Sequence, residues 1–406
     1  MLAFKPEDTR IKNSTVLLRL LLKQDSISRV ELSRITGLTK TTTSSIINKF
    51  IALGIVEESS TISTGNVGKS PIPLHIRKDA VHTIGVHLGR QKVKTVLMDA
   101  RMNIISRGGG LSYERSVLKD ILKRLFEGID YIIEDAKKHQ IKVGSIGIGV
   151  PGPLDPQTGI VRHPSKFKGW NDVPLRDIVY ERYKLPVWIE NDANTGVLAE
   201  KWHGGGKDLK NFVHLLVGEG IGAGIIINDE LYQGAYDYVG EIGHNLFYDR
   251  GKFRYLEDIA GVDVLIKYAR SQGLDIENIK DILNLLQKND RVTESIVKQI
   301  ATWISVAVID IIHIIGPEAV FIGGEMAVLG DALIQPIREI VSRYLFGDQK
   351  VEVRLSEISE DVVSIGAAIY ATTRWLEKKT SERVDTEGRW INESKLKRKV
   401  NWLVFY

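Results

Sequence analysis

The stretch Ser28 to Leu53, SRVELSRITGLTKTTTSSIINKFIAL, leaves fewer folding choices than any other part of the chain: it reads as a short helix, a glycine turn and a second helix. Ser28 and Glu31 have the spacing of a reciprocal capping box, Leu32 and Ile35 supply the first helix with a buried side, and Gly37 suits a left-handed turn. Thr39 caps the second helix, in which Ile46, Ile47, Phe50 and Leu53 recur at helical spacing. Lys40, Thr41, Thr42, Ser44, Ser45, Asn48 and Lys49 are left for its other surfaces. A run of Thr and Ser has poor helix propensity, so intrinsic stability does not explain it. Short hydroxyls on the leading turns of a recognition helix reach base edges and phosphates without blocking entry to the major groove. The candidate DNA-binding residues are therefore Thr39, Lys40, Thr41, Thr42, Ser44, Ser45 and Lys49. The competing reading is a small helical bundle whose hydroxyls are merely solvated.

Around this core, Asn13 to Lys23 reads as a helix with Val16, Leu17, Leu20 and Leu21 on one apolar stripe. Ile55 to Glu58, the polar stretch Ser59 to Lys69 and the proline-bearing Ser70 to Ile76 read as a two-stranded wing followed by a linker around Ser70 to Lys78. Gly68 and Lys69 fall where a basic wing tip would meet the minor groove; a plain surface loop is the alternative. Residues 1–78 hold twelve Lys or Arg against six Asp or Glu, so with +4 overall the remainder carries −2. The positive charge sits with the helix-turn-helix, as phosphate neutralisation requires.

A chain of 406 residues implies two or three domains. From Val81 the pattern changes to strands: Thr83 to Val86, Val93 to Met98 and Ile104 to Gly108 form a meander, followed by a helix over Val117 to Lys137 and a buried strand over Val143 to Val150. Phe212 to Val217, Gly222 to Ile227 and Glu230 to Gly234 repeat the meander, and an apolar helix at Ala301 to Ile315 leads into a strand at Ala319 to Gly323. Two such halves predict a duplicated, actin-like (ribonuclease-H-like) α/β fold of two lobes behind an N-terminal winged helix-turn-helix domain. The expected divisions are a DNA-binding domain and linker over 1–78, a first lobe over 79–192, a second lobe with oligomerisation surface over 193–372, and a helical tail over 373–406 packing on the first lobe. The helix at Ala301 to Ile315, interrupted by Asp310 and His313, reads as a core helix, and Met1 to Ile11 does not resemble a secretory signal, so the expected location is the cytoplasm. With no cysteine in the chain, disulfides and thiolate metal sites are excluded.

Four short segments, VPGPLD (Val150 to Asp155), ENDAN (Glu190 to Asn194), GEIGH (Gly240 to His244) and IGGE (Ile322 to Glu325), resemble the motifs of the ROK family in the family's order. The family name combines repressors, open reading frames and kinases, and the resemblance, closest in kind to its xylose-, N-acetylglucosamine- and glucose-responsive repressors, covers essentially the whole chain. It implies that Asp192 stands where the kinases keep the base that takes a proton from a sugar hydroxyl, and that Asn191 beside it holds the sugar. Glu241 and His244, and Glu257 in YLEDIAG, similarly resemble the groups that grip the anomeric end. A carboxylate that accepts from two vicinal hydroxyls, beside an amide that donates and accepts, suits a polyol.

Two departures from the family pattern bear on function. The kinases hold a phosphate-binding Asp-x-Gly-Gly-Thr in the first hairpin, where this chain has His87, Leu88, Gly89, Arg90 and Gln91. In the second hairpin the family's Gly-Thr-Gly becomes Gly218, Glu219, Gly220, which sets a carboxylate against a nucleotide phosphate. Like charges in contact repel by about 1 kcal/mol in water and several times that in a partly desolvated cleft, so ATP binding is expected to be poor unless Arg90 serves as a new phosphate ligand. Many family members also hold a structural zinc through the His of the GH pair and three cysteines, whereas NLFYDRGKFRYLEDIAG follows His244 here. No metal and no other cofactor is expected, with Tyr248, Phe253 and Tyr255 forming a packing nucleus instead. The resulting expectation is a sugar-responsive repressor of carbohydrate-utilisation genes, such as those of xylose metabolism, with a vestigial base at Asp192 and no enzymatic activity. It would bind a palindromic operator as a homodimer or homotetramer, and sugar would shift the spacing of two winged helices away from the groove repeat of about 34 to 36 Å. The alternative is an active ATP-dependent sugar kinase carrying a DNA-binding domain. A ligand-free DNA-binding scaffold leaves Asn191, Asp192, Glu241 and His244 without a purpose.

Overall fold

The computed structural model describes residues 6–59, 72–112, 118–164, 167, 169–249, 251–358 and 361–381. The chain divides into two compact units, Met1–Ala80 with Thr373–Tyr406, and Val81–Thr372.

In the first unit, helix α1 (Pro6–Lys23) leads through β1 (Ile27–Ser28) to α2 (Arg29–Thr36), α3 (Lys40–Ala52), β2 (Val56–Glu58) and β3 (Pro73–Ile76). The expected capping box forms: the Ser28 side chain accepts from the Glu31 N–H while Ser28 N–H donates to Glu31 Oε2 at 2.9 Å. Gly37 takes φ 70°, and Thr39 caps α3 by accepting from Thr42 N–H at 3.1 Å. Leu17, Leu18, Leu21, Leu32, Ile47 and Phe50 make the buried centre. The buried face of α1 is rotated from the expected stripe, because Ser14, Leu17, Leu18 and Leu21 have the i, i+3, i+4, i+7 spacing of one helix face. Val16 is 46% exposed, Leu20 is half-buried, and Ile35 is 50% exposed because the eight-residue α2 turns only Leu32 inward. Strand β3 pairs antiparallel with both β1 and β2, so Pro73 to Ile76 belongs to the wing sheet rather than to a linker. Gly68 and Lys69, the expected wing tip, lie outside the described residues.

The second unit is built twice over. Its first half runs β4 (Thr83–Leu88), β5 (Lys92–Met98), β6 (Ile104–Ser112), α4 (Leu118–Lys138), β7 (Ser145–Val150), the hairpin β8 (Leu154–Asp155) and β9 (Ile160–Val161), α5 (Leu175–Tyr183), β10 (Val187–Asn191) and α6 (Asp192–His203). The second half runs β11 (Phe212–Val217), β12 (Ile221–Ile227), β13 (Glu230–Leu231), the hairpin β14 (Leu246–Asp249) and β15 (Lys252–Tyr255), α7 (Glu257–Ala260), α8 (Val262–Ser271), α9 (Ile279–Gln287), α10 (Arg291–Ile315), β16 (Ala319–Gly323), α11 (Asp331–Tyr344), β17 (Glu352–Leu355) and α12 (Val362–Ser381). The sheets have orders β10-β7-β4-β5-β6 and β13-β12-β11-β16-β17, one topology repeated. Each half has its own apolar core: Ile84, Leu125, Ile129 and Ile148 in one, Leu215, Ile300, Ile304 and Ile322 in the other. Helix α10 is long and apolar enough to cross a membrane, yet Ile300, Ala301, Ile304 and Val308 lie in the second core, as expected for a core helix.

The helix that closes each half is laid on the other half's sheet. A Cβ on Gly224 of β12 would fall 2.2 Å from Ala193 O of α6, and one on Gly85 of β4 would fall 2.0 Å from Ser364 O of α12. The two closing helices meet at Gly366, whose Cβ would sit 1.7 Å from Thr195 O, a crossing that only glycine permits. Helix α12 is counted in both units. Its residues up to Thr372 pack on the first sheet, whereas from Thr373 it groups with the N-terminal unit, which differs from the expected tail on the first lobe. There Lys49 donates to Thr380 O and Arg19 pairs with Glu377 at 3.8 Å, cations placed near a helix C-terminus. Residues 382–406 of that tail lie outside the described residues.

Candidate functional site

Parallel pairing of β7 and β10 sets Val150 opposite Asn191, so the turn at Pro151 and Gly152 and the start of α6 emerge side by side from the carboxyl ends of two strands. Such ends are the usual seat of ligands in α/β sheets. Asn191 is the N-cap of α6: its Oδ1 accepts from the N–H groups of Ala193 at 2.8 Å and Asn194 at 3.4 Å. Its carbonyl is thereby committed, and its amide nitrogen is left facing Gly152. Asp192 follows as the first helical residue and accepts from Ala193 N–H at 2.8 Å. Glu190 is buried and accepts from Asn191 N–H, the Asn194 amide and the Gln233 amide at 2.9, 3.0 and 3.0 Å. It therefore braces the turn from beneath, a role that the bare motif does not announce.

From the second half, Glu241 and His244 come from the tight turn before β14, with His244 Nδ1 3.3 Å from Glu241 Oε2, and Glu257 opens α7. Asn191, Asp192, Glu241, His244 and Glu257 all line one narrow cavity, and the sixth polar side chain in its wall is Arg90. Burial pushes the Asp192 carboxyl above its usual range, opposed by Arg90 and the Ala193 N–H and reinforced by Glu257. Burial and Asp192 likewise push Glu241 up, while His244 pulls it back. A ring of acceptors with one amide and one imidazole donor is equipped to hold several hydroxyls at once.

The side expected to hold phosphate is built differently. Burial and Lys94 push His87 down to about 3, so it is a neutral imidazole. Arg90 Nη2 lies 3.8 Å from Glu257 Oε2, and its guanidinium packs on Gly220, where a Cβ would fall 2.4 Å from Nη2. Gln91 donates to the carboxylate of buried Glu219. Side chains of the β4–β5 turn thus meet the β11–β12 turn directly.

The surroundings of His244 do not fit zinc. The ring touches Glu241 and stacks edge to face on Tyr255 at 5.3 Å, and among the described residues no three His, Asp or Glu gather as a metal site. The expected aromatic nucleus is not formed: Tyr248 and Phe253 pack on each other at 5.4 Å but are 67% and 72% exposed, and Tyr255 is 43% exposed. Alternation along β14 turns Tyr248 outward, every residue of β15 is exposed, and Phe247 against Trp303 at 5.8 Å anchors the hairpin instead.

On α3 the candidate DNA-contacting residues separate. Lys40, Thr41 and Ser45 are exposed, Ser44 is half-buried, and the Thr39 and Thr42 hydroxyls hydrogen-bond each other at 2.8 Å. Lys49 is directed to Thr380 instead, which removes it from the leading face. Sequence reasoning passed over Arg29, which ties the motif together by donating to Asn48 at 2.8 Å and to Glu58 at 2.7 Å.

Comparison with known proteins places both units. The ROK family profile matches residues 83–374, and a winged helix-turn-helix DNA-binding profile matches residues 15–57. The xylose repressor of Caldicellulosiruptor bescii is 30% identical over 376 residues, spanning 87% of this chain and 94% of the relative. A crystal structure of a ROK family transcriptional regulator, a homologue of the Escherichia coli MLC protein, superposes with TM-score 0.78 at 21% identity, covering 92% of this chain and 98% of the other. A ROK family glucokinase from Streptomyces griseus, solved with glucose and AMPPNP, superposes with TM-score 0.62 at 25% identity over 71% of this chain and 99% of the enzyme. The two-lobed unit with its four ordered motifs, joined to a winged helix-turn-helix, is thus that of a member of the ROK family.

Proposed function

We infer that this protein is a sugar-responsive, DNA-binding transcriptional regulator, a repressor of carbohydrate-utilisation genes working in the cytoplasm. The observation that carries the reading is one chain in which α3 offers exposed Lys40, Thr41 and Ser45 while one cavity gathers Asn191, Asp192, Glu241, His244 and Glu257 beside Arg90, with Glu219 in the adjoining turn. Asn191, Asp192, Glu241, His244 and Glu257 hold a monosaccharide, for which xylose is the first candidate because the 30% identical relative is a xylose repressor. Lys40, Thr41, Thr42, Ser44 and Ser45 face a palindromic operator, read by a homodimer or homotetramer whose two-fold symmetry mirrors the site. Sugar acts by shifting the population between two arrangements of the lobes with different operator affinities.

The alternative, an ATP-dependent sugar kinase carrying a DNA-binding domain, is favoured by the retained Asp192 and the likeness to a glucokinase. Phosphoryl transfer rests on positioning and charge neutralisation of ATP, and the carboxylate of Glu219 with the neutral His87 counts against that reading. A thermal-shift screen of common monosaccharides, run beside an ATP-turnover assay, separates the two readings. A regulator is stabilised by at least one free sugar, by about 2.7 kcal/mol at 100 times the dissociation constant, with no turnover. Sustained, Asp192-dependent consumption of ATP overturns the reading in favour of the kinase.

A further inference from the structure

The two hairpin turns meet directly, through Gln91 on Glu219 and Arg90 on Gly220. Arg90 and Gln91 project from the turn between β4 and β5; Glu219 and Gly220 form the turn between β11 and β12. The Arg90 guanidinium lies on the bare backbone of Gly220, faces Glu257 at 3.8 Å, and shares the cavity wall with Asp192. It is a cation seated against the glycine turn. The charged and titratable groups that share its cavity wall are Asp192 from α6, Glu257 from α7, and Glu241 and His244 from the turn before β14, while Glu219 lies in the adjoining turn and accepts from Gln91.

We propose that Arg90 is a positioning residue of the sugar pocket, a built-in counter-ion that faces the carboxyl groups of Asp192 and Glu257, holds them as acceptors for an uncharged sugar and occupies the space that a ligand phosphate would need. The proposal rests on the reading of this cavity as a sugar site. A hydroxyl-rich ligand needs carboxylates that accept, and buried carboxylates stay ionised only beside a positive partner. A phosphate entering the same space would displace the guanidinium from Gly220 and meet Glu219 and Glu257 unshielded. The pocket thus serves a neutral polyol without any nucleotide to balance its charge.

The test compares Arg90→Met, which keeps length and loses charge, with Arg90→Lys, which keeps charge. D-xylose affinity is measured by calorimetry between about pH 5 and pH 8, and melting of the sugar-free protein is followed over the same range. Arg90→Met is expected to lose about tenfold or more in affinity near neutrality, as for a shift of one pKa unit in the accepting carboxylate, and to recover as pH rises. Arg90→Lys keeps the wild-type profile. Without its counter-ion buried Asp192 is harder to ionise in the folded state, so the melting deficit of Arg90→Met widens as pH rises. A wild-type affinity profile in Arg90→Met, with a melting deficit that does not change with pH, makes the role steric and overturns the proposal. Competition of ATP or inorganic phosphate with xylose in the wild type, abolished in Arg90→Met, overturns it by making Arg90 an anion ligand. If the wild type binds no monosaccharide, the sugar reading falls, and the melting series alone decides for or against the counter-ion.

Discussion

Asp192 concentrates the compromise in this protein: it opens α6, accepts the Ala193 N–H and sits among Glu241 and Glu257 with Arg90 as the positive group in the cavity wall. Its carboxyl is held above the usual range by burial, so the folded state binds its proton more tightly than the unfolded chain does and loses stability as pH rises through the folded value. Asp192→Asn keeps the shape and removes that cost. The melting temperature of this variant near neutrality is expected to equal or exceed the wild type's. Its sugar affinity falls by about tenfold or more, since a hydrogen bond to a charged group is worth roughly 1.5 to 3 kcal/mol. Calorimetry with unchanged affinity would remove Asp192 from the pocket. Asn191 contributes less than its motif suggests, because its carbonyl oxygen is already the cap of α6 and only its amide donates outward.

Among the elements, α3 carries the sharpest expectation. Lys40 is an exposed cation at the start of the helix and Ser45 an exposed hydroxyl more than a turn further along it, so they act on different parts of a duplex. Lys40→Ala should weaken binding to all sequences and lower the salt slope by about 0.9 through loss of one phosphate contact. Ser45→Ala should leave the slope unchanged and relax sequence preference, as anisotropy titrations at several salt concentrations would show. The same helix indicates what a sequence reveals and what it hides. Its cap at Thr39, the box at Ser28 and Glu31 and the turn at Gly37 are interactions over two to four residues, written in local spacing. The three-strand meander of each half and the strand that follows its helix were also legible, whereas the edge strands β10 and β17 were not read. The exposure of Val16 and Ile35 was not, since buried Ser14 and Leu18 set the face of α1 and an apolar count passes over a serine. Lys49 and Arg90 escaped for a different reason: their partners Thr380 and Glu257 are distant in sequence and meet them only through the fold.

At the scale of the whole molecule the duplication ties the pocket to both closing helices. Asp192 begins α6, α6 lies on the second sheet, and its Thr195 backbone meets α12 at Gly366, while α12 lies on the first sheet. A sugar held as proposed, by Asp192 on one side and Glu241 and Glu257 on the other, would bear on both closing helices together. Helix α12 is also the element shared between the two compact units, and its last turn receives Lys49 from α3. Repression controlled by sugar requires that binding at the pocket and at the winged helix be energetically coupled, and such couplings amount to about 1–3 kcal/mol, or 5–150-fold in affinity. The direct measurement is the affinity of the full chain for its preferred duplex, first recovered by selection from a random library, with and without saturating D-xylose or whichever sugar the thermal screen identifies. The account predicts that sugar weakens operator binding by a factor in that range. An operator affinity that no bound sugar changes would contradict it.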